Sequence, residues 1–215
     1  MTRAELLEKA KPILFNTEMV RAILDGRKTV TRRVIKQQLQ KYVQMLRNGD
    51  VETCWDGGFD NGVKRIKPQY RIGDILYVRE TWFKFKDTFY YMADGKHISL
   101  ERMGIRFKWR PSIHMPKEAA RIILRATNVR VERLQDITVE DAKREGAFLS
   151  CNMCVHWHDF CGQQVTQAKD CKIDGIAPLF PRLWNSTIRP ADMPKYGWDA
   201  NPWVWVYEFE RVVPE

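Results

Sequence analysis

Four cysteines and two histidines crowd one short stretch: Cys151-x-x-Cys154-x-His156-x-His158-x-x-Cys161, followed by Cys171. Two thiolates three positions apart grip one ion from a tight knuckle, and two ligands from a returning chain complete a tetrahedron. The pattern predicts a closed, structural zinc site on Cys151, Cys154, Cys161 and Cys171, with His156 or His158 as substitutes. The alternative is a loop of reduced thiols that bind nothing. Disulfides are disfavoured in a cytosolic chain. The other patterns are of charge and rings. Between Gly26 and Gly49 stand Arg27, Lys28, Arg32, Arg33, Lys36, Lys41 and Arg47, with no acid among them. Such a run suits phosphate, or is simply a solvated basic face. On an extended strand Glu80 and Trp82 point one way and Arg79 the other. That trio could frame a pocket in which Trp82 stacks on a base. A buried Trp82 with Glu80 paired to an arginine is the favoured alternative. His114 lies between Pro111 and Pro116 in an irregular stretch of the kind that borders clefts.

These groups belong to a chain of 215 residues with 36 Lys and Arg against 27 Asp and Glu, a formal charge of +9. A basic balance favours polyanions, meaning nucleic acid, nucleotides or anionic lipid heads. Hydrophobic residues at 44% and aromatics at 12% supply a core, which excludes a fully disordered chain. No run approaches the roughly 18 apolar residues of a membrane span. Met1 to Lys11 mixes Glu and Lys without an apolar stretch, so a cytoplasmic protein with no secretory signal and no membrane partner is expected.

The elements that must position these groups follow from pattern. Thr17 caps a short helix through Met19, Val20, Ile23 and Leu24 that Gly26 ends. Lys28 to Ile35 reads as a strand. Gln37 to Arg47 has Leu39, Tyr42, Val43 and Leu46 at helical spacing, and Asn48 to Tyr70 reads as loop. Gly73-Asp74 opens a strand over Ile75 to Trp82, and Phe83 to Met92 continues as a second. Arg121 to Val131 is a strand. Thr138 caps a helix over Val139 to Glu145, with Gly146 as its stop. Leu179 to Ile188 reads as helix. Trp203 to Val212 alternates, with Trp203, Trp205, Tyr207 and Phe209 on one face and Val204, Val206 and Glu208 on the other. The sum is an α+β fold: one domain over residues 1–215, a mixed β-barrel with insertions at about 36–70 and 147–176.

Read in order, Gly26-Arg27-Lys28-Thr29-Val30-Thr31-Arg32, Gly73-Asp74-Ile75-Leu76, Ile137-Thr138-Val139-Glu140-Asp141-Ala142 through Glu145-Gly146, and the final Trp/Val/Phe strand resemble the ASCH family. Val78-Arg79-Glu80-Thr81-Trp82, Trp109-Arg110-Pro111-Ser112-Ile113-His114-Met115-Pro116 and Gly197-Trp198-Asp199-Ala200-Asn201-Pro202-Trp203 are similar to its phage and prophage branch. The resemblance implies a PUA-like barrel and RNA binding; some members hydrolyse RNA, and one bacterial branch is an amidohydrolase acting on acetylcytidine. Matched residue by residue, that branch's working Lys, Thr and Glu fall on Lys28, Thr31 and Glu145. The implied chemistry has a neutral Lys28 taking the Thr31 proton, Thr31 attacking an acyl carbon, and Glu145 passing a proton to the leaving amine. Arg27, Arg32, Arg33, Arg79, Glu80, Trp82 and His114 would line the ligand site. The expected partner is RNA, another single strand or a modified nucleoside. Three function classes follow: a hydrolase, a nucleic-acid reader without chemistry, and a phage accessory scaffold.

Overall fold

The computed structural model describes residues 1–39, 41–46, 49–54, 63–146 and 179–214. The chain forms two compact units, Met1–Gly26 with Ile72–Thr127 and Phe209–Glu215, and Arg27–Arg71 with Asn128–Glu208. Strands and short helices combine in an α+β arrangement, and the strands between residues 30 and 91 follow one another without an intervening α-helix among the described residues. The largest sheet has five strands in the order β1 (Lys11–Leu14), β6 (Ile75–Arg79), β9 (Ile123–Arg133), β10 (Trp203–Val212), β2 (Val30–Val34). It is mixed, because β1 pairs with β6 in parallel while β6–β9 and β10–β2 are antiparallel. Both β1 and β2 are edge strands of this sheet, so among the described residues it is open and not the closed barrel that the pattern predicts. No helix among the described residues is long and apolar enough to cross a membrane.

In the first unit, α1 (Arg3–Lys9) starts on a reciprocal cap. Glu5 N–H donates to the Thr2 hydroxyl, and Thr2 N–H donates to the Glu5 carboxylate at 2.9 Å. The helix then buries Leu6 and Leu7 in a cluster with Tyr77, Trp82, Met115, Ala119, Ala120 and Ile123. Each Leu-sized side chain removed from water contributes up to about 1.5–3 kcal/mol. Helix α2 (Thr17–Leu24) is capped by Asn16, whose Oδ1 accepts from Met19 N–H at 2.8 Å; the cap sits one residue before the expected Thr17. The hairpin β7 (Trp82–Phe85) and β8 (Thr88–Tyr91) turns through Lys86, which holds a left-handed φ of 51°. Trp82 and Arg110 exchange both backbone hydrogen bonds, so the chain at Arg110 runs beside β7. Helix α3 (His97–Arg102) lies between them in sequence.

In the second unit, β3 (Lys41–Met45), β4 (Val51–Cys54) and β5 (Val63–Ile66) form an antiparallel sheet. This corrects two expectations, a helix over Gln37 to Arg47 and a loop over Asn48 to Tyr70. Four apolar residues in so short a run fit either period, and the backbone partners offered by β4 decide for strand. Helix α4 (Val139–Arg144) begins at Thr138, whose hydroxyl accepts from Asp141 N–H at 3.1 Å. Gly146 follows with φ 80°, a conformation that suits only glycine well. Helix α5 (Leu179–Ser186) adds Phe180 and Trp184 to a core of Val30, Leu134, Ala142, Val204 and Val206. The alternation along β10 is as read, yet Trp205 and Tyr207 are as buried as Val204 and Val206, so this strand is covered on both faces. The short α6 (Met193–Tyr196) completes the unit.

Candidate functional site

The turn after α2 delivers Lys28 to the end of α4, where its side chain is fully enclosed. Nζ donates to the Glu145 carboxylate at 2.6 Å, to the Glu145 carbonyl at 3.0 Å and to the Val30 carbonyl at 2.7 Å. An ammonium has three donors, and all three are engaged. Burial pulls the Lys28 pKa below its ordinary value; the hydrogen bond and charge of Glu145 oppose this, while Arg33 and Arg32 add to it.

Arg32, which is also buried, reaches the other Glu145 oxygen at 3.2 Å, Asp141 at 3.0 Å and Glu132 through Nε at 2.9 Å. Its guanidinium stands 5.8 Å from the Phe180 ring centre. Arg130 bonds Glu132, Asp141 and Glu208. Arg144 bonds Glu208 at 2.7 Å, Asp141 at 3.3 Å and the Thr29 hydroxyl at 3.2 Å. Four cations, Lys28, Arg32, Arg130 and Arg144, thus interlock with four carboxylates, Glu132, Asp141, Glu145 and Glu208. For Glu208, partial burial works against ionisation. Arg144, Asn128 and Arg130 outweigh it and hold the carboxyl below the usual range.

Thr31 is buried on β2 in register with Tyr207. Strand alternation directs it, with the half-buried Arg33, to the face opposite Arg32. There the Tyr207 ring meets Tyr70 edge-on at 5.1 Å, and the Tyr207 oxygen accepts from Gln69 N–H at 3.1 Å. Burial pushes the Tyr207 phenol up to about 12. Arg27 is half-buried just before Lys28.

The other expected site residues belong to the first unit. Arg79 Nε donates to the Met115 carbonyl at 2.9 Å. Glu80 is buried and takes a two-pronged contact from Arg121, with both N–H···O distances at 2.9 Å. Arg121 also bonds Asp94 at 2.5 Å and lies 4.1 Å from the Tyr91 ring centre. Burial nevertheless raises the Glu80 pKa despite Arg121. Trp82 sits in the first unit's core, as the favoured alternative has it, with Arg110 5.2 Å from its ring centre. His114 is exposed on a 3-10 turn, Ser112–His114. Cys151, Cys154, Cys161, Cys171, His156 and His158 lie outside the described residues.

The structure therefore joins Lys28, Arg32 and Glu145. It adds Glu132, Asp141, Arg130, Arg144 and Glu208, which were not singled out in the sequence. A signal for some of them existed: Arg130 and Glu132 alternate on one strand face, and Asp141 sits in the first turn behind the Thr138 cap. No protein-family model, curated protein or solved structure matches this chain.

Proposed function

We propose that this is an ASCH-type, PUA-like protein that binds RNA, another single strand or a modified nucleoside, and hydrolyses an amide on a cytidine-type base, or RNA itself, at Lys28 and Glu145. One observation carries the reading. Lys28 and Glu145, the positions on which the resemblance to that family places its working Lys and Glu, stand 117 positions apart and hold one another at 2.6 Å in an enclosed site. Burial lowers the Lys28 pKa, the direction a general base requires. A buried ion pair is weak evidence for stability alone, and perturbed pairs concentrate at functional sites. The proton passes from Lys28 Nζ to Glu145 along the 2.6 Å contact, leaving a neutral amine to activate the nucleophile. Arg32 steadies the carboxylate through its second oxygen. Thr31 is the proposed nucleophile by position in the resembling segment alone, since strand alternation turns it to the face of β2 opposite Arg32.

The test is turnover of a panel of acylated cytidines and of RNA by wild type, Lys28→Ala, Glu145→Gln and Thr31→Val. Wild-type turnover that both Lys28→Ala and Glu145→Gln abolish is expected. No turnover on any substrate refutes the hydrolase. Loss in the first two variants with retention in Thr31→Val refutes only the nucleophile. A second reading, a reader without chemistry, is favoured by the full engagement of the three Lys28 donors, which suits a structural ammonium.

We also propose a structural zinc on Cys151, Cys154, Cys161 and Cys171, on spacing alone. Protein never exposed to chelator should carry about one zinc per chain by elemental analysis. Cys151→Ser with Cys154→Ser should lose it; metal-free wild type refutes the site.

A further inference from the structure

Residues 82–110 carry seven Lys or Arg and three Asp or Glu. What matters is how those cations are spent. Arg102, Arg106, Lys108, Arg110, Lys84 and Lys86 are all exposed, and among the described residues none has a carboxylate partner. Asp94 is already taken by Arg121, which leaves Asp87 and Glu101 as the segment's exposed acids.

The backbone sorts these cations into a row. From Ile105 to Arg110 exposure alternates: Arg106, Lys108 and Arg110 face outward, and Ile105, Phe107 and Trp109 are half-buried. Phe107 and Trp109 both pack on Phe83 of β7, at 4.1 and 4.8 Å between ring centres, and Tyr90 of β8 stacks on Phe83 at 5.0 Å. A packed aromatic layer thus holds the strap. On the hairpin, Lys84 stands 5.4 Å from the Phe89 ring centre and Lys86 5.8 Å from that of Phe85.

We infer that this surface of the first unit, the Arg102–Arg110 strap with Lys84 and Lys86 of the hairpin, binds the phosphate backbone of single-stranded nucleic acid. The inference goes beyond the proposed chemistry at Lys28 and Glu145 and does not require it. Uncompensated exposed cations release counterions from a polyanion, whereas an arginine already salt-bridged does so poorly. Guanidinium groups at Arg102, Arg106 and Arg110 suit the two-pronged geometry of phosphate. Phe107 and Trp109 pack inward on Phe83 and hold the cations outward, so what the strap offers a strand is contact with its phosphates. An anionic bilayer would also meet the charge, and it is the competing outcome.

The test is fluorescence anisotropy of labelled 20-nucleotide RNA and DNA with the full chain over a series of salt concentrations. Arg106→Glu with Lys108→Glu should weaken binding at least about tenfold at low salt and flatten the log–log salt slope by about 0.7 per lost contact. This pair leaves the Arg110–Trp82 contact alone, and circular dichroism checks that the fold persists. Arg106→Gln with Lys108→Gln should give a smaller loss in the same direction. Lys36→Glu, exposed in the Arg27–Arg47 run, is the comparator. Affinity that follows Lys36→Glu and ignores the strap variants overturns the inference. So does binding to phosphatidylserine vesicles with none to either oligonucleotide.

Discussion

The second unit's buried ionic network and the first unit's strap hold cations of the same types in opposite states. Lys28, Arg32, Arg130 and Arg144 are committed to Glu132, Asp141, Glu145 and Glu208. Arg106, Lys108 and Arg110 are exposed, and among the described residues none has a carboxylate partner. The lesson is that a run of positive residues is not a measure of available positive charge. Arg32 lies in the basic stretch that catches the eye, and its charge is cancelled inside the protein. The strap is broken up by aromatic residues and looks less basic, yet its charge is available. Interior charge acts on stability and proton placement, while surface charge acts on association and its salt dependence.

The contrast breaks most visibly at Glu145. Glu145→Leu should cost about 3–5 kcal/mol in urea unfolding, because it leaves Lys28 enclosed without its carboxylate. The loss should shrink as pH rises. Burial lowers the folded Lys28 pKa below the ordinary 10.5 and Glu145 partly restores it; without Glu145 it falls further, so stability rises with pH over a wider interval in the variant than in wild type. A pH-independent loss would contradict an ionised Lys28.

The network's rim sharpens the contrast with a smaller effect. Arg144 is about one-third exposed, so Arg144→Ala should cost only about 1 kcal/mol once solvent screening is allowed for. Its signature is in acid. Glu208 has a folded pKa below the ordinary 4.5, so its contribution is present above that value and disappears as pH falls through the folded one. Acid unfolding curves of Arg144→Ala should lose part of that limb. An unaltered acid limb would mean that Arg144 does not hold Glu208.

The smallest stability effect belongs to the strap. Arg106→Ala with Lys108→Ala should shift unfolding free energy by no more than about 0.5 kcal/mol, since no pairing is lost. A shift comparable to that of Glu145→Leu would erase the distinction between the two regions.

Much of this fold is legible in local pattern. The Thr138 cap, the Gly146 stop and the alternation of β10 are all written within a few residues, where propensity and period act directly. Long-range pairing is not. β3 reads as helix because its hydrogen-bond partners, Val51 to Cys54, are invisible to a window around Leu39–Leu46. At the site, residue matching brought out Lys28 and Glu145. The carboxylates that neutralise Arg32 come from β9 and α4, about a hundred positions away. Charge compensation of that reach follows from topology, which no local count contains. The Thr2–Glu5 cap of α1 is legible too, as a capping box ahead of a helix only seven residues long.

The first unit draws its parts from both ends of the sequence, and this bears on the order in which a growing chain can fold. The Phe15 ring meets Phe209 at 6.0 Å between centres, and Val212 packs on the cluster that contains Leu6 and Leu7. At roughly 5–20 residues per second, α1 is synthesised roughly ten to forty seconds before Phe209. During that time the apolar face of α1 lacks its last cover. A stalled chain ending before Trp203 should therefore leave α1 open to protease, and release of the full chain should close it. For this protein, vectorial synthesis is a period of exposure for α1.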